Sequence, residues 1–281
     1  MNKVFDIKRF GKYFTYDLNN ALGNYGISAL VIGLLPLIML VFSVVFSLVI
    51  TGEVATIPLP AKIALFGITV LVVILSAPTK LYGSLTERRA GTDWLMLPAS
   101  SFEKFLSMAI MLCIVLPLVV FGLFMICDLL LGWIVPAYGD SVFRTFKDGI
   151  SLAGFNAAIE DMPIVWPTKG GTLASVFLSW CASILPFGLG AICFKKGKAA
   201  KTILCIFALE IILSLLLVIV VKGGGGYLVD SEFGQRLSDF FGNMNAEKAQ
   251  FWANFLISLM YLVIVGGLLT AIFFRVKTIK H

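Results

Sequence analysis

The sequence predicts an all-α, polytopic membrane protein of six transmembrane helices, preceded by an interfacial amphipathic helix, with both termini in the cytoplasm. Three observations carry that expectation. Hydrophobic residues make up 59% of the 281 positions and the mean hydropathy is +0.97, well outside the range of soluble domains. Six apolar stretches (residues 27–50, 62–83, 105–134, 172–194, 200–221 and 251–274) can each cross a hydrocarbon core of about 30 Å, which takes ~20 residues. Third, the basic residues alternate from one side of these stretches to the other. With both termini inside, fifteen of the 22 Lys and Arg residues fall on the cytoplasmic side, grouped around Lys8, Arg88, Lys196 and Arg275. Basic residues beside span ends stay in the cytoplasm, so the expected topology is N-in, C-in. The net charge of +6 then belongs with anionic membrane lipid. Nucleic acid is not an expected partner, because the charges flank spans and form no single patch.

Residues 1–281 read as one transmembrane domain. Residues 8–25 begin it as an amphipathic helix: Phe10, Tyr13, Phe14, Leu18, Ala21, Leu22 and Tyr25 recur at helical spacing, opposite Lys8, Lys12, Thr15, Asn19 and Asn20. The first apolar run starts only near Ile27 and is too long for a signal-peptide core, so it reads as a retained span. Pro36 and Pro117 lie inside spans, where neighbouring helices can satisfy the freed carbonyls. Pro58 and Pro60 mark a tight turn before the second span.

Two outer loops, residues 135–171 and 222–250, are long enough to expect internal order. In the second, Phe233, Leu237, Phe240 and Phe241 have amphipathic helical spacing, and Gly223 to Gly226 predict a flexible break after the fifth span. The first has a weaker pattern at Val142, Phe143, Phe146 and Ile150. Gly122, Gly188, Gly190, Gly266 and Gly267 are candidates for close helix contact. The five cysteines lie in or at the ends of spans and have neither disulfide nor CxxC metal spacing, so they read as packing residues.

The connection between the second and third spans, residues 84–104, differs in character. It runs from Glu87, Arg88 and Arg89 through Trp94 to Leu97, Pro98, Ser100 and Glu103. Pro98 predicts a break at Leu97, and Ser100 with Glu103 forms a capping box that starts the third helix. Trp94 and Leu97 among charges suit docking on a partner. The pattern Arg-x-Gly-Thr, then Leu-Pro-Ala-Ser-x-x-Glu-Lys, resembles the coupling segment of type-2 ATP-binding-cassette (ABC) exporter permeases, particularly small bacterial members. The layout of an interfacial helix and six spans agrees with that family, although the sequence likeness is concentrated in about twenty residues.

The resemblance implies a non-catalytic subunit in a bacterial cytoplasmic (inner) membrane. It implies pairing with a second permease and with cytoplasmic ABC ATPases, which would bind ATP and Mg. Glu87, Arg88, Arg89, Trp94, Leu97, Pro98, Ser100 and Glu103 would then transmit nucleotide-driven closure. The sequence has no phosphate-binding Gly-x-x-x-x-Gly-Lys-Ser/Thr loop, so ATP hydrolysis needs another chain.

Within the spans, Glu210 lies near mid-membrane and Asp128 nearer the outer surface; intramembrane carboxylates default to functional candidates. Intramembrane proteolysis is a poor fit. A metalloprotease or Ser–His protease needs histidines, and His281 is the only one; Asp128 alone cannot make an aspartyl pair. The competing reading is an ATPase-independent secondary transporter, channel or membrane scaffold, for which only Glu210 offers a mid-depth polar site.

Overall fold

A computed structural model describes residues 5–50, 52, 56–87, 91–92, 94, 96–139, 141–142, 173–229 and 246–278. Those residues are all-helical, with no strand among them. Helix α1 is Ile7–Gly33, α2 is Leu35–Ile50 and α3 is Leu59–Tyr82, followed by a 3-10 turn at Gly83–Thr86. Helix α4 covers Ser101–Ile134, α5 Leu173–Cys193, α6 Lys198–Val229 and α7 Ala246–Thr278. Five of these helices are long and apolar enough to cross a membrane, and the pair α1 and α2 makes a sixth if it counts as one bent span.

The surface argues for lipid contact independently of length. On α6, Leu204, Phe207, Leu209, Ile211, Ile212, Leu213, Leu215 and Leu216 are all exposed. A soluble helix buries an apolar stripe and shows water a polar one; this helix shows apolar side chains all round.

Several boundaries differ from those the sequence predicts. The interfacial helix and first span are not separated near Gly26. Helix α1 continues to Gly33, and a 42° bend falls at Leu34. Pro36 is the physical reason: it has no N–H for the Ile32 carbonyl, and its ring crowds that oxygen. Helix α6 runs unbroken through Gly223–Gly226 to Val229, which corrects the expected flexible break. Glycine costs about 1 kcal/mol per helical position, so the helix continues here against the residues' own preference.

Pro117 has a different effect from Pro36. Just before it, Met111–Val115 form a π turn within α4. The wider turn makes room for the ring and leaves carbonyls without their usual donors. The Trp180 indole of α5 donates to the Leu112 carbonyl at 3.3 Å, and its ring meets Phe121 edge-on at 5.0 Å.

Helix α5 is central, packing most extensively on α7 and also on α3, α6 and the π turn. Its Ile184, Leu185 and Ile192 are fully buried in the main core with Val73, Ala77, Leu112 and Val120. A second, smaller apolar cluster of Leu40, Ile57, Leu131 and Tyr138 lies apart, where α4 ends. Of the glycines flagged by sequence, Gly188 and Gly190 face Leu112 and Thr202 at close range, whereas Gly122, Gly266 and Gly267 face open space. The predicted helix at Phe233–Phe241, and Phe143, Phe146 and Ile150, lie outside the described residues.

Candidate functional site: the segment between α3 and α4

The local sequence starts α1 and α4 side by side. Asp6 caps α1, its Oδ1 accepting from the Lys8 N–H at 2.9 Å and the Arg9 N–H at 3.4 Å. The Ser100–Glu103 capping box forms as predicted: the Glu103 N–H donates to Ser100 Oγ at 3.2 Å, and the Ser100 N–H to Glu103 Oε2 at 2.8 Å. The two caps share one carboxylate. The Asp6 N–H donates to Glu103 Oε1 at 2.9 Å, and Arg9 grips both Glu103 oxygens, with its Nε 2.8 Å from Oε2 and its Nη2 2.8 Å from Oε1. A fork-to-fork pair of this kind fixes orientation as well as contact.

Arg9 is the first rung of a ladder along α1. One turn on, Tyr13 Oη accepts from the Trp94 indole N–H at 2.9 Å. Another turn on, Asp17 Oδ2 accepts from the Tyr82 hydroxyl at 3.0 Å and from Ser107 Oγ at 2.5 Å. Residues 9, 13 and 17 lie on one helix face by their spacing of four. That face holds the connecting segment at Trp94, the end of α3 at Tyr82 and the start of α4 at Glu103 and Ser107. Further along, Tyr25 and Ser76 hydroxyls lie 3.1 Å apart, and Lys80 donates to Ser28 Oγ at 2.7 Å.

Two lysines add ties. Lys104 Nζ donates to the Trp94 carbonyl at 2.8 Å and sits 4.6 Å from the centre of its ring. Lys198, at the start of α6, donates to the Gly83 carbonyl of the 3-10 turn. Beside it is an open cavity of about 340 Å³ lined by Thr79, Gly197, Lys198, Ala199 and Ala200.

The predicted coupling residues divide accordingly. Glu103, Ser100 and Trp94 turn inward: Glu103 is wholly buried, and Trp94 packs against the main core. Trp94 is thus tied to α1 by its bond to Tyr13, while its ring stays half-buried against the main core. The chain bends at Leu97–Ala99 as Pro98 requires, and Glu87, Met96 and Pro98 face outward, Met96 being 78% exposed. Arg88 and Arg89 lie outside the described residues.

The two intramembrane carboxylates are unlike one another. Glu210 is exposed on the apolar surface of α6, one turn before Ser214, whose hydroxyl donates to the Ile211 carbonyl at 2.9 Å. Asp128 does not reach toward headgroups as its position near the end of α4 suggests. It is wholly buried and accepts from the Tyr138 hydroxyl at 2.6 Å. Burial and the Asp128 acceptor push the Tyr138 phenol up, which keeps it a protonated donor.

Sequence reasoning passed over Arg9, Asp17, Tyr82, Ser107 and Lys62. A signal existed for Asp17, a carboxylate set between Tyr13 and Ala21 within the apolar stripe. Lys62 had one too, seven residues before Thr69 on the buried face of α3. Among the described residues no group of three or more His, Cys, Asp or Glu side chains could hold a metal, and no buried side-chain N or O lacks a hydrogen-bond partner. Comparison with protein-family models, curated proteins and solved structures returned no match.

Proposed function

We propose that the chain is the membrane-spanning permease subunit of an ABC exporter. It spans a bacterial inner membrane six times, with both termini in the cytoplasm, and works as a pair with separate ATPase subunits. The reading is supported by the residues from Glu87 to Lys104, which carry the resemblance. One structural observation bears most of its weight. The segment is bonded to α1 through Trp94, Arg9 and Glu103, and joins α3 and α4 directly, while Glu87, Met96 and Pro98 remain exposed. A push on the exposed edge has stiff paths into three helices. An unattached loop would absorb the same push by bending.

The division of labour follows from the side chains. Glu103, Ser100 and Trp94 position the segment, and Arg88 and Arg89 supply charge for an acidic surface of the ATPase. ATP and Mg belong to that partner. An adjacent reading frame that encodes an ABC ATPase is the expected context, and co-expression with that ATPase tests the reading directly. The Arg88→Glu, Arg89→Glu double variant is expected to lose about tenfold or more in capture of the ATPase, the equivalent of one strong charge-assisted contact. Its thermal melt should match the parent's. Undiminished capture refutes the assignment.

A further inference from the structure

At the end of α3 and α4 opposite Ser100, the structure contains a second polar assembly. Lys62, in the first turn of α3, is 1% exposed, yet it is a lysine. Its Nζ donates to the Tyr138 carbonyl and lies 3.8 Å from the centre of the Tyr138 ring. The Tyr138 hydroxyl in turn donates to the buried Asp128 of α4 at 2.6 Å. Tyr138 belongs to a 3-10 turn, Pro136–Tyr138, where the chain leaves α4 and doubles back. Gly139 allows that return. Its φ is +71°, and a side chain there would point toward Lys62 Nζ and the Ile57 carbonyl, each at 3.8 Å.

We propose that the turn from Val135 to Gly139 is a releasable clasp that shuts this end of the bundle by joining α3 to α4 through Lys62, Tyr138 and Asp128. Three features favour a clasp over ordinary packing. The backbones of α3 and α4 barely approach one another, and Phe66 meets Phe121 and Phe124 across the gap. The apolar cluster at the clasp is small and separate from the main core, so this end can open without unpacking the rest. And the closing contacts are polar. A buried lysine gives up much hydration for its hydrogen bonds, so exchanging them for water on opening costs little net free energy.

The clasp stands on geometry alone. That its opening would let cargo leave rests on the exporter reading; the test needs no ATPase, so the two can fail separately. Cys127 is a built-in reporter, because it packs against the Tyr138 cluster and is partly buried. In a chain whose other four cysteines are alanine, the reaction of Cys127 with N-ethylmaleimide measures opening. Lys62→Met is expected to speed it by about fivefold or more, the factor carried by a single net hydrogen bond. A matched chain keeping only Cys181, in the central core, should change by less than about twofold, as a locally confined opening requires. An unchanged rate at Cys127, or an equal rise at Cys181, overturns the proposal. If Lys62→Met does not accumulate, Tyr138→Phe removes only the bond to Asp128. It should raise the Cys127 rate by a smaller measurable factor; no rise there overturns the proposal as well.

Discussion

Asp17→Leu isolates the middle of the α1 ladder. The carboxylate is buried and accepts from two other buried side chains, Tyr82 and Ser107. Leucine keeps the branching at Cγ and suits the surrounding apolar stripe, but its methyls are bulkier than the carboxylate oxygens, so some overpacking adds to the loss. What is lost is an acceptor. Ser107, inside α4, can turn its hydroxyl to the carbonyl four residues back and recover most of its bond. The Tyr82 phenol has no such escape and stays buried and unpaired. Orphaning one buried donor and weakening a second costs about 2–3 kcal/mol. In a detergent melt followed by tryptophan fluorescence, that corresponds to a drop of about 4–12 °C. Tyr82→Phe removes the stranded donor itself, so the double variant should be less destabilised than the sum of the singles by about 1–2 kcal/mol. Additivity within about 0.5 kcal/mol would mean that the Asp17–Tyr82 bond does not hold α1 to α3.

Other outcomes follow from single contacts. Gly190→Ala would put Cβ 1.8 Å from Thr202 Oγ1, so it should destabilise the α5–α6 hairpin by about 1–3 kcal/mol, read as a lower melting temperature. Gly266→Ala, with nothing within 4 Å of its Cβ, should be neutral or stabilising by up to about 1 kcal/mol in the same melt. Trp180→Phe keeps the edge-on contact with Phe121 but takes the donor from the Leu112 carbonyl at the π turn, and should cost about 1 kcal/mol. Glu210→Gln keeps the shape and hydrogen-bonding capacity of a side chain exposed on the apolar surface of α6 and removes its capacity to ionise. Full transport by that variant in reconstituted vesicles would exclude a proton or charge role at Glu210.

Much of the scaffold was legible because it depends on near neighbours in sequence. Length and hydropathy located the apolar helices, Ser100 and Glu103 sit three apart and formed their capping box, and Pro98 produced its bend. The boundaries that moved did so where a local rule met a tertiary environment: Pro36 bent the helix eight residues later than the first apolar stretch suggested, and four glycines remained helical. The candidate site was legible only as a segment. Its wiring joins residues far apart in sequence, Arg9 to Glu103 across 94 positions and Lys62 to Tyr138 across 76. No periodicity encodes such pairs. The bond from Trp94 to Tyr13 spans 81 positions and was equally invisible.

Helix α4 is held by different physics at its two ends, and that contrast bears on what the bundle can do. Its start is fastened by charge-assisted and neutral hydrogen bonds to a helix that packs on the main core, so displacement there moves α1 and the end of α3 as well. Toward its far end the described contacts with α3 include the Lys62–Tyr138–Asp128 chain, the Phe66 rings and a small apolar cluster. Between them the π turn at Met111–Val115 interrupts the regular ladder of α4, with Trp180 of α5 holding a freed carbonyl. A rod with a stiff base, a loosened turn at its middle and a weakly pinned tip does not move evenly when its base is pushed.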